Sequence, residues 1–595
     1  MRRALAAAVF SLLTLTVGAQ ELSLAFDRVS AVQNGRLTFQ ADGSLVLKSS
    51  SVEYSSGVKL LPPAGKETFD LSTARYLAVD VESLATHQQR LCLQIKDATR
   101  DTYAGIALNP GEKATLKLQL PHDFIYASPE GAKGVKTLDT QHITEIAFLV
   151  IWPYEGQFTG LTHVRLSNLR LAGPPDVARR VALANYLPFV DAFGQYAHGQ
   201  WKYKTKSYDE LRADLVEERA ALKPAPETWD EYGGWLQGPQ LEATGHFRTE
   251  KVNGKWWFVT PSGHLFYSLG INVVKTDSDA PNGLTHRDWY ATAAKSAMSF
   301  PTWNLREKFG KTDFAADYYD FVLARLDSWG INTIGNWSDG ALTRLSRKPY
   351  MMTVDVSAAD LPKLSSGFYD TLDATFATKL KAAVAAVLQA EGTPQAVAAT
   401  DPMCIGFFIG NELTFPSDSA YYGPFFRACK EALSEVAPGK LYLGCRFKSL
   451  RNSTALWTAA AQWCDVISVN SYVNSVAVFM EGNYAAPKFD RPVLHSEFHF
   501  GTLHRGMFAA GLCPVGDQCE RARNYKRVVE GALRHPCFVG SHWFQYRDQP
   551  LMGRGDGETY QIGFVDVCDR TYPTLCRAAR EMGETMYTIR SQSEE

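Results

Sequence analysis

Long apolar runs are scarce: after an opening stretch from Ala4 to about Val17, no segment of this 595-residue chain is long enough for a membrane-spanning helix. Net charge is nearly absent too. Sixty-one Lys and Arg against 63 Asp and Glu leave a formal charge of -2, so nothing electrostatic favours nucleic acid or an anionic membrane as partner, and an uncharged ligand fits better. Cysteine is sparse, with ten residues and none before Cys92, which excludes a disulfide scaffold and argues against a lipid-anchored N-terminus. No predicted strand is followed by a G-x-G-x-x-G turn, which counts against a dinucleotide-binding doubly wound sheet.

The start, MRRALAAAVFSLLTLTVGAQE, joins basic residues to an apolar run and small residues ending at Ala19, which predicts a signal peptide over residues 1–19 and an exported chain, periplasmic or extracellular. Export permits disulfides. Cys513 and Cys519, flanking GLCPVGDQCE, are the best-placed pair, with two independent thiols as the alternative.

The remaining length suits two domains. Residues 22–172 hold short alternating runs (RLTFQ, SLVLKS, YLAVDV, RLCLQIKD, TLKLQL, EIAFLVIW, HVRLSNLRLA) split by turn signals, which predicts an antiparallel β-sandwich, either a sugar-binding module or a structural one. Residues 173–232 form a connecting segment with one charged helical piece, YDELRADLVEERAALK. Over residues 233–595 eight apolar runs alternate with amphipathic helices, the size and rhythm of a (β/α)8 barrel, and the fold class is α/β.

In such a barrel the reactive groups lie at the C-terminal strand ends. Those ends supply Asn272, Asn336, Trp337, Asn411, Glu412, Asn470, Tyr472, Glu497, His499, Trp543, Gln545 and Tyr546, a set of amides, aromatics and carboxylates suited to a sugar. Glu412 follows the run CIGFFIG, and Glu497 ends a strand three further on. A retaining glycosidase needs such a pair, with carboxyls about 5 to 5.5 Å apart. Asp339, Asp355 and Asp548 are competitors without a matched partner; Asp339 is also placed to cap the helix that follows it.

His495, Glu497 and His499 alternate on one face of RPVLHSEFHFGTL and could suggest a metal. Strand geometry separates the two histidines by roughly 13 Å, too far to share an ion. No metal and no cofactor is expected. His495 is placed inside the barrel and His499 beyond the rim carboxylate.

RPVLHSEFHFGTLHRGMFAAGL, CIGFFIGNELTF, GINTIGNWSD, HLFYSLGINVV and PFVDAFGQYAHGQW together resemble the β-agarases of glycoside hydrolase family 50, from about Leu187 to the C-terminus. The resemblance implies retaining cleavage of β-1,4-galactosidic bonds in agarose, giving neoagaro-oligosaccharides; the alternatives are another galactan such as porphyran or a β-galactoside as substrate, and, from a different class, a non-catalytic carbohydrate-binding protein, against which the retention of both glutamates argues. It assigns Glu412 as acid/base and Glu497 as nucleophile. Asn411 is expected to hold substrate and Tyr472 to orient the nucleophile; Asn272, Asn336, Trp337, His499, Trp543 and Tyr546 are expected to line the pocket. Two features depart from the family pattern: His504, where an acidic residue is expected, and the Cys513/Cys519 pair. Both follow the nucleophile strand, so they bear on substrate preference rather than on reaction type.

Overall fold

The computed structural model describes residues 22–592, except 24–25, 27, 33–34, 50–56, 87, 121–137, 150–161, 174–184, 186, 278–286, 293–298, 449–453, 475 and 477–489. The predicted signal peptide lies outside the described residues.

The N-terminal region folds as two antiparallel sheets. One is built on Gly35–Phe39, Leu45–Ser49, Thr162–Ala172, Tyr76–Ser83 and Lys113–Gln119, and the other on Val29–Val32, Gly57–Leu60, Glu145–Leu149, Gln89–Lys96 and Asp101–Leu108. Alternation explains the packing. In Thr162–Ala172, for example, Val164, Leu166, Leu169 and Leu171 turn inward while Arg165 and Arg170 turn out, with a register shift between Ser167 and Arg170. The inward residues of both sheets form one core with Leu77, Val79, Leu93, Ile106 and Phe148.

Eight parallel strands follow: β1 (Ser268–Ile271), β2 (Thr333–Ile334), β3 (Tyr350–Val354), β4 (Cys404–Ile409), β5 (Leu441–Tyr442), β6 (Ile467–Asn470), β7 (Val493–Phe498) and β8 (Phe538–Trp543). Their order in the sheet is β5-β4-β3-β2-β1-β8-β7-β6, so each strand neighbours the next in sequence except β5 and β6, which lie at the two ends. Just past β5, Phe447 bridges Val469 of β6 in parallel, which joins the two ends of the sheet. Near-continuous burial of β4, β7 and β8 fits strands covered on both faces.

Helices α1 (Ala315–Ser328), α2 (Phe376–Leu388), α3 (Tyr422–Val436), α4 (Thr454–Trp463), α5 (Gln518–Arg534) and α6 (Pro573–Ser591) pack outside the sheet. Their apolar stripes face it: Leu380, Val384 and Leu388 of α2, and Val528, Val529, Ala532 and Leu533 of α5, are fully buried or nearly so. No described helix is long and apolar enough to cross a membrane.

Before the parallel sheet, the charged helix spans Tyr208–Ala221, and the Ser207 side chain caps it by accepting from the Glu210 N–H at 3.2 Å. The antiparallel region is tied directly to the parallel one. Lys117 pairs with Asp517 at 2.7 Å, Glu112 meets Arg523 and Arg527 at 2.7 Å, and Gln119 exchanges hydrogen bonds with the Leu503 backbone.

All ten cysteines are free thiols, so the Cys513–Cys519 pairing does not form: Cys513 is buried and Cys519 exposed. Native alkylation followed by mass spectrometry is expected to label Cys519 rapidly and the nine buried thiols only on unfolding. A Cys513–Cys519 cross-linked peptide in a non-reducing digest would contradict this.

Candidate active site

Glu497 sits near the end of β7, 5% exposed, and two groups grip its carboxylate. The Arg446 guanidinium donates to Oε1, and the Tyr472 hydroxyl donates to Oε2 at 2.6 Å. Burial pushes the Glu497 carboxyl above the usual range; Arg446 and then Tyr472 pull it back, while the charge of Glu412 adds to the rise. Burial and the adjacent Glu497 push the Tyr472 hydroxyl well up, so it stays a proton donor.

Glu412 lies just past β4 and is more open than Glu497. Asn470, at the end of β6, donates its Nδ2–H to Glu412 Oε1 at 2.9 Å, and Asn470 Oδ1 accepts from Ser496 Oγ at 2.8 Å. The turn carrying Glu412 is built from Gly410 at φ 85° and Glu412 itself at φ 50°. The Glu412 N–H reaches the carbonyls of Cys445 and Arg446, each at 3.2 Å, and this tether to the end of β5 holds the left-handed backbone in place. Arg446 (φ 52°) and Trp337 (φ 62°) share that conformation, so three strained non-glycine residues gather around one carboxylate pair.

Asn411 accepts from Arg446 Nε at 2.8 Å through Oδ1, which leaves its amide Nδ2 to donate. Trp337 is 38% exposed, with the Arg446 guanidinium carbon 6.0 Å from its ring centre. Asn272 and Asn336 are buried beneath. Asn272 Nδ2 bonds the carbonyls of Ser496 and Trp543, tying β1 to β7 and β8, and Asn336 Oδ1 accepts from Thr353. Asn272 Oδ1 and Asn336 Nδ2 have no protein partner among the described residues.

Three further residues expected to line the pocket are interior too. His499 is 1% exposed and has both ring nitrogens occupied: Nδ1–H donates to the Phe544 carbonyl at 3.1 Å and Nε2 accepts from the Leu512 N–H at 2.9 Å. Burial holds it neutral, with its pKa lowered to about 3, and its ring lies 4.5 Å from that of Tyr472, so it buttresses the tyrosine rather than facing a ligand. Trp543 and Tyr546 are fully buried. Trp543 donates to the Ile562 carbonyl at 2.7 Å amid Phe498, Tyr525 and Phe564, and the Tyr546 hydroxyl accepts from Arg325 at 2.9 Å. The segment from Phe544 to Tyr572, which follows β8, folds back over both; strand position alone does not reveal such a cover.

The competing aspartates serve local structure. Asp339 caps a short helix through the Ala341 N–H, Asp355 lies past the end of β3 and binds the Ser357 N–H, and Asp548 is bonded by the Gly563 N–H and the Tyr572 hydroxyl. Nor do His495, Glu497 and His499 converge, since His495 is buried and its Nε2 meets the Ser471 carbonyl at 2.7 Å. Arg446 and the Asn470 bond to Glu412 are what sequence reading missed. Their signal was an arginine inside the apolar run KLYLGCRF, the predicted fifth strand, whose end contributed nothing to the strand-end inventory.

No family model matches the chain. Beta-agarase B of Vibrio sp. (strain JT0107) is 24% identical over 732 aligned positions, covering 96% of this chain and 74% of that protein. Beta-agarase A of the same strain is 27% identical over 685 positions, covering 90% and 67%. Among solved structures, an agarase, AgWH50C, superposes with a TM-score of 0.69 at 25% identity, covering 97% of this chain and 99% of that one. An exo-β-agarase superposes with a TM-score of 0.71 at 23% identity, covering 96% and 99%. Along nearly its whole length the chain is similar to β-agarases in sequence and fold, and it is a glycoside hydrolase.

Proposed function

We propose that the protein is a retaining β-agarase that cleaves β-1,4-galactosidic bonds of agarose and releases neoagaro-oligosaccharides. The observation that carries this is the asymmetry of the carboxylate pair. Glu497 is buried and fixed by two donors at both oxygens, as a nucleophile must be aimed, whereas Glu412 is more open and held at one oxygen, leaving the other for proton transfer.

In the first step Glu412 protonates the glycosidic oxygen while Glu497 attacks the anomeric carbon; the glycosidic bond breaks and a galactosyl ester forms. In the second, Glu412 takes a proton from a water that attacks the same carbon, and Glu497 leaves as carboxylate. Asn411 Nδ2 is the donor to a substrate hydroxyl, and the Trp337 face stacks on a sugar ring. Asn470 positions Glu412, and Arg446 and Tyr472 position Glu497. No cofactor enters either step.

The parallel sheet, ordered as a ring and joined through Phe447 and Val469, is read as a (β/α)8 barrel over residues 233–595. The two antiparallel sheets are read as a carbohydrate-binding-module-like sandwich over residues 22–172, and the chain as an exported enzyme. Incubation with agarose, porphyran and a chromogenic β-galactoside tests the substrate: agarose is the one expected to be cut, and cleavage of porphyran alone would move the reading to another galactan.

Arg446→Met removes the charge that draws the Glu497 carboxyl down, so the carboxyl rises further and is protonated over more of the pH range. The acid limb of kcat/KM moves to higher pH, and kcat falls on the order of 10²–10³-fold, as for loss of one preorganised donor. A pH–rate profile identical to wild type would remove Arg446 from this role.

A further inference from the structure

A cavity of about 280 Å³ opens where the antiparallel region meets the loops that follow β7 and β8. It does not coincide with the carboxylate pair, because none of the residues bonded to the side chains of Glu412 or Glu497 lines it. Its volume is just below the roughly 300–1,000 Å³ of small-molecule sites and suits one sugar unit with a substituent.

Its charged lining has one sign. Arg75, Lys202 and Arg505 stand on the wall, and among the described residues no Asp or Glu does. Arg505 is balanced from behind by Asp566 at 2.6 Å, but Lys202 has no carboxylate partner among the described residues and lies 4.8 Å from the Tyr203 ring centre. His504 contributes no charge: burial and the nearby Arg75 lower it to about 3, and its Nε2 is engaged with the Tyr76 hydroxyl at 2.9 Å. The first turn of α6, Pro573 and Thr574, also lines the cavity, and its N-cap Tyr572 gives no side-chain cap, so the positive end of a 19-residue helix faces the same space.

The uncharged lining is of the kind that holds sugars. Trp201 and Tyr203 supply aromatic faces, and Gln200 and Gln518 supply amides. The indole nitrogen of Trp201 is buried without a partner among the described residues.

We infer that this cavity is a second carbohydrate site, separate from the carboxylate pair, that binds an anionic galactan unit bearing a sulfate ester or a carboxylate. This rests on the reading of the protein as a galactan hydrolase, and it adds that the enzyme holds charged stretches of the polymer while cutting neutral ones.

The test is calorimetry on the full chain carrying Glu497→Ala, so that no ligand is consumed, with neutral agaro-oligosaccharide, 6-sulfated galactan oligosaccharide and a carboxylated galactan oligosaccharide. The neutral ligand is expected to fill one site and at least one anionic ligand two. Adding the exposed change Lys202→Glu, or separately Arg75→Gln, weakens the second site by on the order of tenfold or more. With Glu497 intact, Lys202→Glu leaves turnover of neutral oligosaccharide unchanged. One-site binding of both anionic ligands, or a second site indifferent to both substitutions, would overturn the inference. Failure of the wild-type protein to cut any galactan would instead overturn the functional reading, and turnover is measured separately.

Discussion

Glu497→Ala loses turnover by on the order of 10⁴–10⁶-fold, the range for removing a nucleophile from a unit whose members act together. Each of its oxygens is fixed by a donor from another strand end, Arg446 past β5 and Tyr472 past β6, so no neighbouring side chain inherits that position. Truncation leaves the Arg446 charge with Asn411 as its remaining polar contact, and Glu497→Gln, whose Oε1 still accepts from Arg446 while its Nε2–H can donate to the Tyr472 hydroxyl oxygen, is the control that separates lost chemistry from lost packing. Azide adds a small external nucleophile where the carboxylate stood. It attacks the anomeric carbon from the vacated side while Glu412 protonates the leaving oxygen, so the Glu497→Ala enzyme with azide yields a galactosyl azide of inverted configuration. Activity retained by Glu497→Ala, or rescue giving the opposite anomer, would remove Glu497 from the nucleophile role.

Asp569→Ala is expected to cost roughly 3–5 kcal/mol of stability, as for breaking a buried ion pair by removing one partner. Asp569 is 1% exposed and receives Arg325 at 2.9 Å, Lys308 at 3.0 Å and Arg547 at 3.3 Å. Arg325 also holds Glu218, at 2.6 Å, in the charged helix that precedes the parallel sheet. The cluster therefore locks that helix to α1 and to the segment after β8, and the substitution strands buried cations. Burial alone would raise the Asp569 carboxyl, but Arg325, Lys308 and Arg547 outweigh it and hold it well below the usual carboxylate range. Because its folded pKa is depressed, its contribution is full above the unfolded value of about 3.9 and is lost only as pH falls through the folded value. Urea titrations should give a constant gap between wild type and variant from pH 5 to 8, narrowing in stronger acid. Coincident midpoints at neutral pH would contradict the lock.

The eight apolar runs read from the sequence each contain one of β1 to β8, since a fully covered strand writes itself as an unbroken apolar run between polar helices. The antiparallel region was legible where alternation is clean. Asp101–Leu108 escaped because Gly105 and the small residues around it in DTYAGIAL blur the period. Glu412, Glu497, Asn411 and Tyr472 could be singled out because position at a strand end is a one-dimensional signal, and the structure links them through Arg446 and Asn470. Arg446 could not be, because its significance is a contact between β5 and β7 that spacing along the chain does not encode. His499, Trp543 and Tyr546 failed as rim residues for a related reason: the segments after β7 and β8 fold over them, and the depth of a strand-end side chain depends on that cover.

Retention by the Glu412–Glu497 pair is tested most directly by following wild-type cleavage of an agaro-oligosaccharide by proton NMR from the first turnovers. The double displacement predicts that the new reducing-end galactose appears first as the β-anomer and only later mutarotates. Initial appearance of the α-anomer would mean a single inverting displacement and would contradict the roles given to Glu497 and Glu412.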